Sequence, residues 1–225
     1  MADLSSTAET VRLAIYRTFA STGLALDREQ ATDQTGLQPA QTDAAFRELA
    51  DTRHIVLDAN KKIVMAHPFA AINLHFSVMG ESTLWWGGCA WDSFAIPHLV
   101  PGEPSVLVAT TCAACGTPHA WTVTTDAPPD GDQVAHFLVP TAHIWDDVVH
   151  TCSNQRIFCN ETCVENWLIA SGNRRGSTFD LATLWRLAQG WYAGRLDSPY
   201  RRREPVEAHE YFRQVGLRGE FWGLD

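Results

Sequence analysis

Apolar residues at helical spacing predict a helix over residues 7–21. Val11, Ile15 and Phe19 fall on one stripe of that helix. Gly23 follows the stripe and is expected to end the helix, because glycine readily adopts the left-handed conformation at helix C-termini. The pattern therefore predicts a first helix with one face packed against a core.

Two more helices and a β-hairpin are predicted in the N-terminal third. A short helix ends at Gly36, and a third helix spans residues 38–53. Four residues of the third helix are expected to face inward: Ala44, Ala45, Phe46 and Leu49. Two β-like runs then flank a turn at residues 58–61. Three helices followed by a hairpin form the winged-helix plan, so we expect residues 1–67 to be a winged-helix-like domain.

The middle of the chain changes to short apolar or alternating runs separated by Gly-, Pro- and Asp-rich turns, which predicts β structure. A short helix is predicted within it over residues 89–100, ended or kinked by Pro97. Helical patterns return afterwards, and Thr178 is a candidate cap for the last long helix. The expected architecture is α+β, with a β-rich catalytic core over residues 68–172 and a helical C-terminal extension over residues 173–225.

Composition restricts the classes of function. The 225 residues carry a net charge of −9, with 17 basic against 26 acidic side chains. That balance argues against binding to the phosphates of nucleic acid, although a winged-helix regulator with a thiol metal sensor remains an alternative. No apolar run approaches the ~20 residues that a membrane span requires. The first residues lack the basic and apolar segments of a secretory signal, so we expect a cytoplasmic protein that binds no nucleic acid and no membrane.

Six cysteines in a chain without an export signal indicate thiols or metal ligands rather than disulfides. Cys112 and Cys115 form a C-x-x-C turn followed by Gly116. Cys159 and Cys163 stand at i and i+4 at the start of a predicted helix, so their sulfurs share one face. A knuckle and a helix start form a treble-clef site, and we expect four sulfurs around a structural Zn²⁺. The alternatives are a redox dithiol at the C-x-x-C turn, or buried free cysteines.

Cys89 and Cys152 lie outside that motif. Cys89 precedes Asp92 by three residues, so on a helical turn the two side chains share a face. A neighbouring carboxylate raises the pKa of a thiol. The pair therefore suits a carboxylate that accepts the thiol proton, or a site that grips a soft cation. Cys152 precedes the predicted zinc helix closely enough to be brought to the same site.

These residues carry a resemblance to a known family. The segment from Trp86 to Pro97 resembles the first active-site segment of the organomercurial (alkylmercury) lyases, in which an aspartate follows a cysteine by three residues. Residues 111–116 look like the next segment of that family, and Cys152 stands where its second catalytic cysteine would lie. The N-terminal helices and hairpin resemble the family's winged-helix-like cap. The resemblance covers about residues 8–172.

The resemblance implies an enzyme that cleaves the carbon–mercury bond of organomercurials by protonolysis, releasing a hydrocarbon and Hg²⁺. Cys89 and Cys152 would be the two thiolates that bind mercury. Asp92 would take a thiol proton and deliver it to the departing carbon. An external dithiol or a mercuric reductase-type acceptor would then remove the ion, and no organic cofactor is implied.

Two departures from the lyase pattern keep other functions open. Cys115, Cys159 and Cys163 are additional cysteines, which indicates a divergent member with an added zinc site. Residues 173–225 extend past the usual end of the family. The alternatives are a protein that binds or traffics a soft metal without turnover, and an enzyme acting on another substrate. The run of arginines at 201–203 is expected to be a solvated face, with anion binding as the alternative.

Overall fold

A seven-stranded antiparallel sheet forms the centre of an α+β fold in the computed structural model, which describes residues 4–224. Its strands are β1 (Val56–Leu57), β2 (Ile63–Ala66), β3 (Phe69–Ala70), β4 (Phe76–Met79), β5 (Leu84–Gly87), β6 (Ser105–Thr111) and β7 (Pro118–Thr124). Their order across the sheet is β1-β2-β3-β5-β4-β6-β7. The predicted α+β class is confirmed.

Three helices precede this sheet: α1 (Ser6–Thr22), α2 (Arg28–Thr35) and α3 (Pro39–Asp51). The stripe predicted on α1 is buried, and Gly23 ends the helix in the left-handed region, with φ of 74°. On α3 the buried side chains are Thr42, Ala45, Phe46 and Leu49. Ala44 is exposed, so its predicted inward position is wrong. The buried stripe runs at i, i+3, i+4 and i+7 from Thr42, and Ala44 falls outside that spacing.

The β1–β2 hairpin is continuous with the central sheet, because Met65 of β2 lies opposite Ala70 of β3. The helices also pack directly on the sheet. The indole of Trp85 donates a hydrogen bond to the carbonyl of Phe19 at 2.8 Å, and the ring of Phe19 stacks on Phe69 with centroids 5.6 Å apart. The domain boundary predicted at residues 67 and 68 lies within this sheet, and the division into domains stays a prediction.

The predicted helix at residues 89–100 is present as α4 (Ala90–Leu99), with Pro97 inside it. Its residues from Ala90 to Pro97 are all buried, so the helix lies in the core. A second long helix, α7 (Leu181–Trp191), packs against it. The two rings of Trp91 and Trp191 lie 4.7 Å apart between centroids. The helix of the predicted C-terminal extension is therefore part of the same core.

A second, smaller sheet has three strands. Its strands are β8 (Val134–Phe137), β9 (Gln155–Phe158) and β10 (Ser177–Asp180), in the order β10-β8-β9. Helix α5 (Val148–Ser153) leads into β9, α6 (Glu161–Ser171) follows it, and α8 (Pro205–Gln214) is the last helix. None of the helices within residues 4–224 is long and apolar enough to cross a membrane.

The N-terminal cap of α7 differs from the sequence prediction. Asp180 accepts a hydrogen bond from the backbone N–H of Thr183 at 2.7 Å and is the N-cap residue. Thr178 belongs to strand β10 instead, where it lies opposite His136 of β8. The helix begins only after the strand has ended, so the cap falls two residues later than predicted.

Candidate active site and metal centre

Cys89 occupies the position just before helix α4. Its backbone is extended, its side chain is 2% exposed, and its Sγ accepts a hydrogen bond from the N–H of Asp92 at 3.4 Å. Two glycines allow the backbone before this helix to approach the side chains of its first turn closely. A Cβ on Gly88 would lie 2.2 Å from Oδ2 of Asp92, and one on Gly87 would lie 2.0 Å from Oγ of Ser93. The local sequence thus places a thiol and a carboxylate on one buried helical turn.

Cys152 lies in helix α5, on a separate part of the chain, and is also buried. Its thiol is hydrogen-bonded to that of Cys89. Its Sγ also lies within 4.8 Å of a carboxylate oxygen of Asp92 and of a ring nitrogen of His67. The structure therefore brings together Cys89, Asp92 and Cys152, which the sequence placed at one site.

Both thiols are held in the protonated form. Burial raises the pKa of Cys89 well above its usual range, and the hydrogen bond with Cys152 and the charge of Asp92 raise it further. The hydrogen bond with Cys89 lowers the pKa of Cys152, but burial and the charge of Asp92 outweigh it, so this pKa is raised too. A metal that binds both sulfurs must therefore displace two protons, and Asp92 is the carboxylate beside them.

Both carboxylate oxygens of Asp92 have partners. Nδ1 of His67 lies 3.0 Å from Oδ2, and the hydroxyl of Tyr192 donates a hydrogen bond to Oδ1. The pKa of Tyr192 is raised well above its usual range by burial and then by the charge of Asp92, so its hydroxyl keeps its proton and stays a donor. Asp92 is 1% exposed. The carboxylate is therefore fixed in orientation on both sides.

His67 and Tyr192 are not among the site residues predicted from the sequence. They come from the end of a short strand and from the end of α7, and Tyr192 stands 100 residues from Asp92 along the chain. A third missed residue, Arg195, supports them. Its guanidinium donates to the carbonyl of His67 at 2.6 Å and to the hydroxyl of Tyr200 at 2.9 and 3.1 Å. No local spacing signals the contacts of His67 with Asp92 and Arg195 or that of Tyr192 with Asp92, because each joins segments distant in sequence.

The two thiols and Asp92 open into a cavity with about 650 Å³ of empty space, part of it continuous with solvent. Large aromatic side chains form much of its wall: Trp91, Trp145, Trp191, Tyr192 and Tyr200. Nε2 of His67, which also lines the cavity, has no hydrogen-bond partner among the described residues. The cavity therefore combines aromatic surface with polar groups, as ligand sites commonly do.

Three arginines from the C-terminal part of the chain complete the cavity wall. Arg202 and Arg203 are half-buried and line it with Arg195. Arg201 is exposed and pairs with Glu207 at 2.6 Å. The solvated face predicted for this run therefore holds for Arg201 alone, because the chain enters the cavity wall at the next residue.

The other four cysteines form a second cluster, as the sequence predicts. Sγ atoms of Cys112, Cys115, Cys159 and Cys163 all lie within 4.8 Å of one another. Those of Cys115 and Cys159 are 3.5 Å apart. A tetrahedral zinc ion with Zn–S bonds of about 2.3 Å separates its sulfurs by about 3.8 Å. The spacing of the four sulfurs therefore fits a metal ion of this kind.

The loop around the C-x-x-C turn shapes this cluster. Gly116 has φ of 74°, and its N–H donates to the carbonyl of Cys112 at 2.9 Å, which closes the turn. The N–H of Cys163 is capped by the side chain of Asn160 at 3.0 Å, at the start of α6. A turn and a helix N-terminus thus aim two sulfurs each at a common point.

Electrostatics also favour a cation at this cluster. A hydrogen bond from Thr117 lowers the pKa of Cys115 to about 6. Burial and hydrogen bonds with neighbouring thiols raise that of Cys159 to about 12. Four thiols this close cannot all ionise unless a positive ion compensates their charge.

Two other side chains lie beside the four cysteines. His119 Nε2 lies 3.6 Å from Sγ of Cys159, and the buried guanidinium of Arg156 interacts with Cys112.

The fold and these two thiol clusters define a class of protein: an α+β protein with a buried dithiol beside a carboxylate. A family model described as alkylmercury lyase matches residues 69–193, more than half of the chain, and the chain therefore belongs to the alkylmercury lyase family. The resemblance inferred from the sequence is confirmed. The match extends beyond residue 172 and includes Tyr192.

Solved structures show the same fold. The crystal structure of the mercury-bound form of MerB2 is similar with a TM-score of 0.63 at 19% sequence identity. The similarity covers 82% of this chain and 89% of that chain. A comparison with curated proteins finds no match.

Proposed function

We propose that this protein is an organomercurial lyase that breaks carbon–mercury bonds by protonolysis. The observation that carries the proposal is the placement of Asp92 beside two buried, protonated thiols, with both of its oxygens fixed by hydrogen bonds. Membership of the alkylmercury lyase family supports it. Five tryptophan and tyrosine side chains line the cavity beside the thiols.

The proposed reaction transfers one thiol proton to the departing mercury ligand and the other, through Asp92, to the departing carbon. One of the thiols, Cys89 or Cys152, exchanges its proton for the organomercury group and releases the former mercury ligand in protonated form. Asp92 accepts the proton of the other thiol as that sulfur also binds mercury. Two thiolates increase the electron density on the bound carbon, and Asp92 then donates its proton to that carbon. The carbon–mercury bond breaks, the hydrocarbon leaves, and Hg²⁺ stays on the two sulfurs.

His67 and Tyr192 act as positioning residues in this scheme. With Asp92 ionised, Nδ1–H of His67 and the hydroxyl of Tyr192 both donate to the carboxylate. They keep one oxygen directed at the thiols without a rotation of the side chain. This preorganisation means that the proton acceptor and the later proton donor occupy the same place.

Turnover by the cysteine variants tests this function. Wild-type protein mixed with phenylmercury and excess thiol is expected to release benzene, and Cys89→Ser and Cys152→Ser are each expected to release none. Asp146→Asn, at an exposed aspartate outside the cavity, is the matched control and keeps the wild-type rate. Benzene release that survives in both cysteine variants would contradict the proposal.

A soft-metal carrier is the second candidate. His67, Asp92 and Cys152 offer one donor atom each within 4.8 Å and so form a group able to hold a metal ion. A carrier binds Hg²⁺ without releasing a hydrocarbon, whereas a lyase releases a hydrocarbon and also binds Hg²⁺. The benzene assay, combined with a measurement of bound mercury, separates the two. In either case an external dithiol or a reductase-type acceptor is expected to remove the ion.

We also propose a structural zinc ion at the second cluster, held by Cys112, Cys115, Cys159 and Cys163. Zinc supplies a four-thiolate cross-link there. The four ligands tie the C-x-x-C turn to the start of α6, around a small separate core of Phe158, Val164 and Leu168. Purified protein is expected to contain one zinc per chain by elemental analysis. Wild-type folding with no metal at this cluster would contradict the assignment.

A further inference from the structure

The cavity wall is positively charged in a protein that is negative overall. Arg195, Arg202 and Arg203 line it, and Asp92 is the single acidic residue on its described wall. The chain as a whole carries a net charge of −9. Three guanidinium groups at one end of a cavity are therefore a local concentration of charge opposite to that of the molecule.

Each of these arginines donates hydrogen bonds to neutral groups. Arg195 donates to a carbonyl and to the hydroxyl of Tyr200. Arg202 donates to the carbonyl of Thr52 at 3.1 Å. Arg203 donates to the carbonyl of Gly190 at 2.8 Å. Within residues 4–224, the ion pairs seen between side chains involve none of the three arginines. The charges of Arg195 and Arg202 are oriented by these bonds but not neutralised. Arg203 has an acidic neighbour, because the pKa of Glu207 is lowered by its hydrogen bond with Arg201 and also by the charge of Arg203.

The charges of Arg195 and Arg202 shift the pKa values of the groups around them. Burial and then the charges of Arg195 and Arg202 lower the pKa of His54 to about 3. Burial and repulsion from Arg195 lower the pKa of Arg202 itself. Burying like charges together is costly unless an anion joins them. An anionic ligand entering the cavity would relieve that repulsion.

Aromatic rings hold two of the arginines in place. The guanidinium of Arg202 lies 4.9 Å from the ring centroid of Trp145, and that of Arg203 lies 5.2 Å from that of Trp191. Both rings also line the cavity. A substituted aryl group in this cavity would share its wall with both rings and with the three guanidinium groups. Rigid, stacked arginines are well suited to binding a carboxylate.

We propose that the arginine cluster is an anion subsite, which selects organomercurials that bring a carboxylate into the cavity. The proposal rests on the proposed lyase function and names its substrate class. The carboxylate is carried either by the organic group or by the thiol bound to mercury before the reaction. Both sources present the same chemistry to the arginines, and the experiment separates them.

Four substrate combinations test the source of the charge. Phenylmercury and 4-mercuribenzoate are each assayed with a neutral thiol, 2-mercaptoethanol, and with a carboxylated thiol, 3-mercaptopropionate. We expect kcat/KM to be about tenfold higher whenever one carboxylate is present, because a hydrogen-bonded charge contact contributes about that factor. A gain with 4-mercuribenzoate places the charge on the organic group, and a gain with the carboxylated thiol places it on the ligand. Equal values for all four combinations would overturn the subsite while leaving the lyase function intact.

Substitutions of the arginines test whether they cause the preference for carboxylated substrates. Arg202→Gln is expected to reduce the ratio of kcat/KM between charged and neutral substrates to about one, and Arg202→Lys to retain part of it. Arg201→Gln is the matched control, because Arg201 is exposed, pairs with Glu207 and lies outside the cavity wall. An unchanged ratio in Arg202→Gln and in Arg203→Gln would contradict the proposal.

Binding of benzoate tests the subsite without turnover. Benzoate, but not benzyl alcohol, is expected to produce a saturable change in tryptophan fluorescence, since Trp145 and Trp191 line the cavity. The change is expected to weaken with added salt, which screens the charge, and to be lost in Arg202→Gln. If no organomercurial is cleaved but benzoate binds, the lyase function fails and the anion site stands. Absence of any benzoate response in folded protein would refute the anion site.

Discussion

The hydroxyl of Tyr192 donates a hydrogen bond to Oδ1 of Asp92, linking the end of α7 to the first turn of α4. Because Tyr192 follows the last residue of α7, the position of this helix determines the orientation of the carboxylate. Trp91 and Trp191 pack between the same two helices. The region that the sequence indicates as an extension therefore completes the candidate site.

Removing this hydroxyl is expected to slow protonolysis with little effect on mercury binding. Tyr192→Phe leaves Oδ1 of Asp92 without its donor, and we expect the single-turnover rate to fall about tenfold, the usual effect of losing a hydrogen bond to a charged group. Stopped mixing with an arylmercury salt measures that rate. Tyr211→Phe, whose hydroxyl bonds to carbonyls of α7, is the control. A wild-type rate in Tyr192→Phe would show that the contact has no functional role.

The role of Nδ1 of His67 as a hydrogen-bond donor to Asp92 can be tested by replacing the imidazole with an amide. An asparagine at position 67 places an N–H near the position of Nδ1, whereas alanine places nothing there. His67→Asn is therefore expected to keep more of the single-turnover rate than His67→Ala, with mercury affinity similar in both. Equal loss of rate in the two variants would indicate that Nδ1 does not act through Asp92.

The thiols should become more acidic when Asp92 loses its charge. Burial, the hydrogen bond with Cys152 and the carboxylate of Asp92 all raise the pKa of Cys89. Asp92→Asn removes the negative charge, so the pKa of Cys89 falls and its thiolate forms at lower pH. Titration of thiolate absorbance in the ultraviolet, in a background where the four-cysteine cluster is zinc-loaded, measures this shift. A shift to higher pH in Asp92→Asn would contradict the assigned electrostatics.

Loss of metal from the four-cysteine cluster is expected to destabilise the protein. Removing a structural zinc is expected to lower Tm by roughly 10 °C or more, since about 1 kcal/mol changes Tm by about 2–4 °C in a chain of this size. Because the ligands must be thiolates, protons compete with the ion and zinc is released as pH falls. Thermal melts with and without chelator measure the effect, and Cys89→Ser with Cys152→Ser serves as a control that retains zinc. An unchanged Tm after complete metal removal would exclude a structural role.

The parts of the site that local geometry determines are predictable from the sequence. Cys89 and Asp92 are three residues apart at a helix start, and the C-x-x-C turn fixes the Sγ atoms of Cys112 and Cys115 by its backbone. Such spacings translate directly into distances. The pairing of this turn with the second cysteine pair follows from the treble-clef pattern, and the four sulfurs are indeed clustered.

The remaining residues of the site depend on tertiary packing. His67, Tyr192 and Arg195 meet Asp92 or each other only because α7 docks on α4 and a short strand ends beside it. Their sequence neighbours carry no pattern that specifies those contacts. The same reason explains Arg202, which a charge run alone places on a solvated face. Local propensity also misplaced the cap of α7, because pairing in β10 holds Thr178 in the strand.

The central claim is that Asp92 delivers a proton to the carbon bound to mercury. A single turnover of phenylmercury in D₂O, followed by mass spectrometry of the benzene, tests it most directly. Wild-type protein is predicted to release one equivalent of monodeuterated benzene per chain, while Asp92→Asn retains bound phenylmercury and releases almost none. Release of benzene by Asp92→Asn at the wild-type rate, or benzene without deuterium from the wild type, would contradict the account.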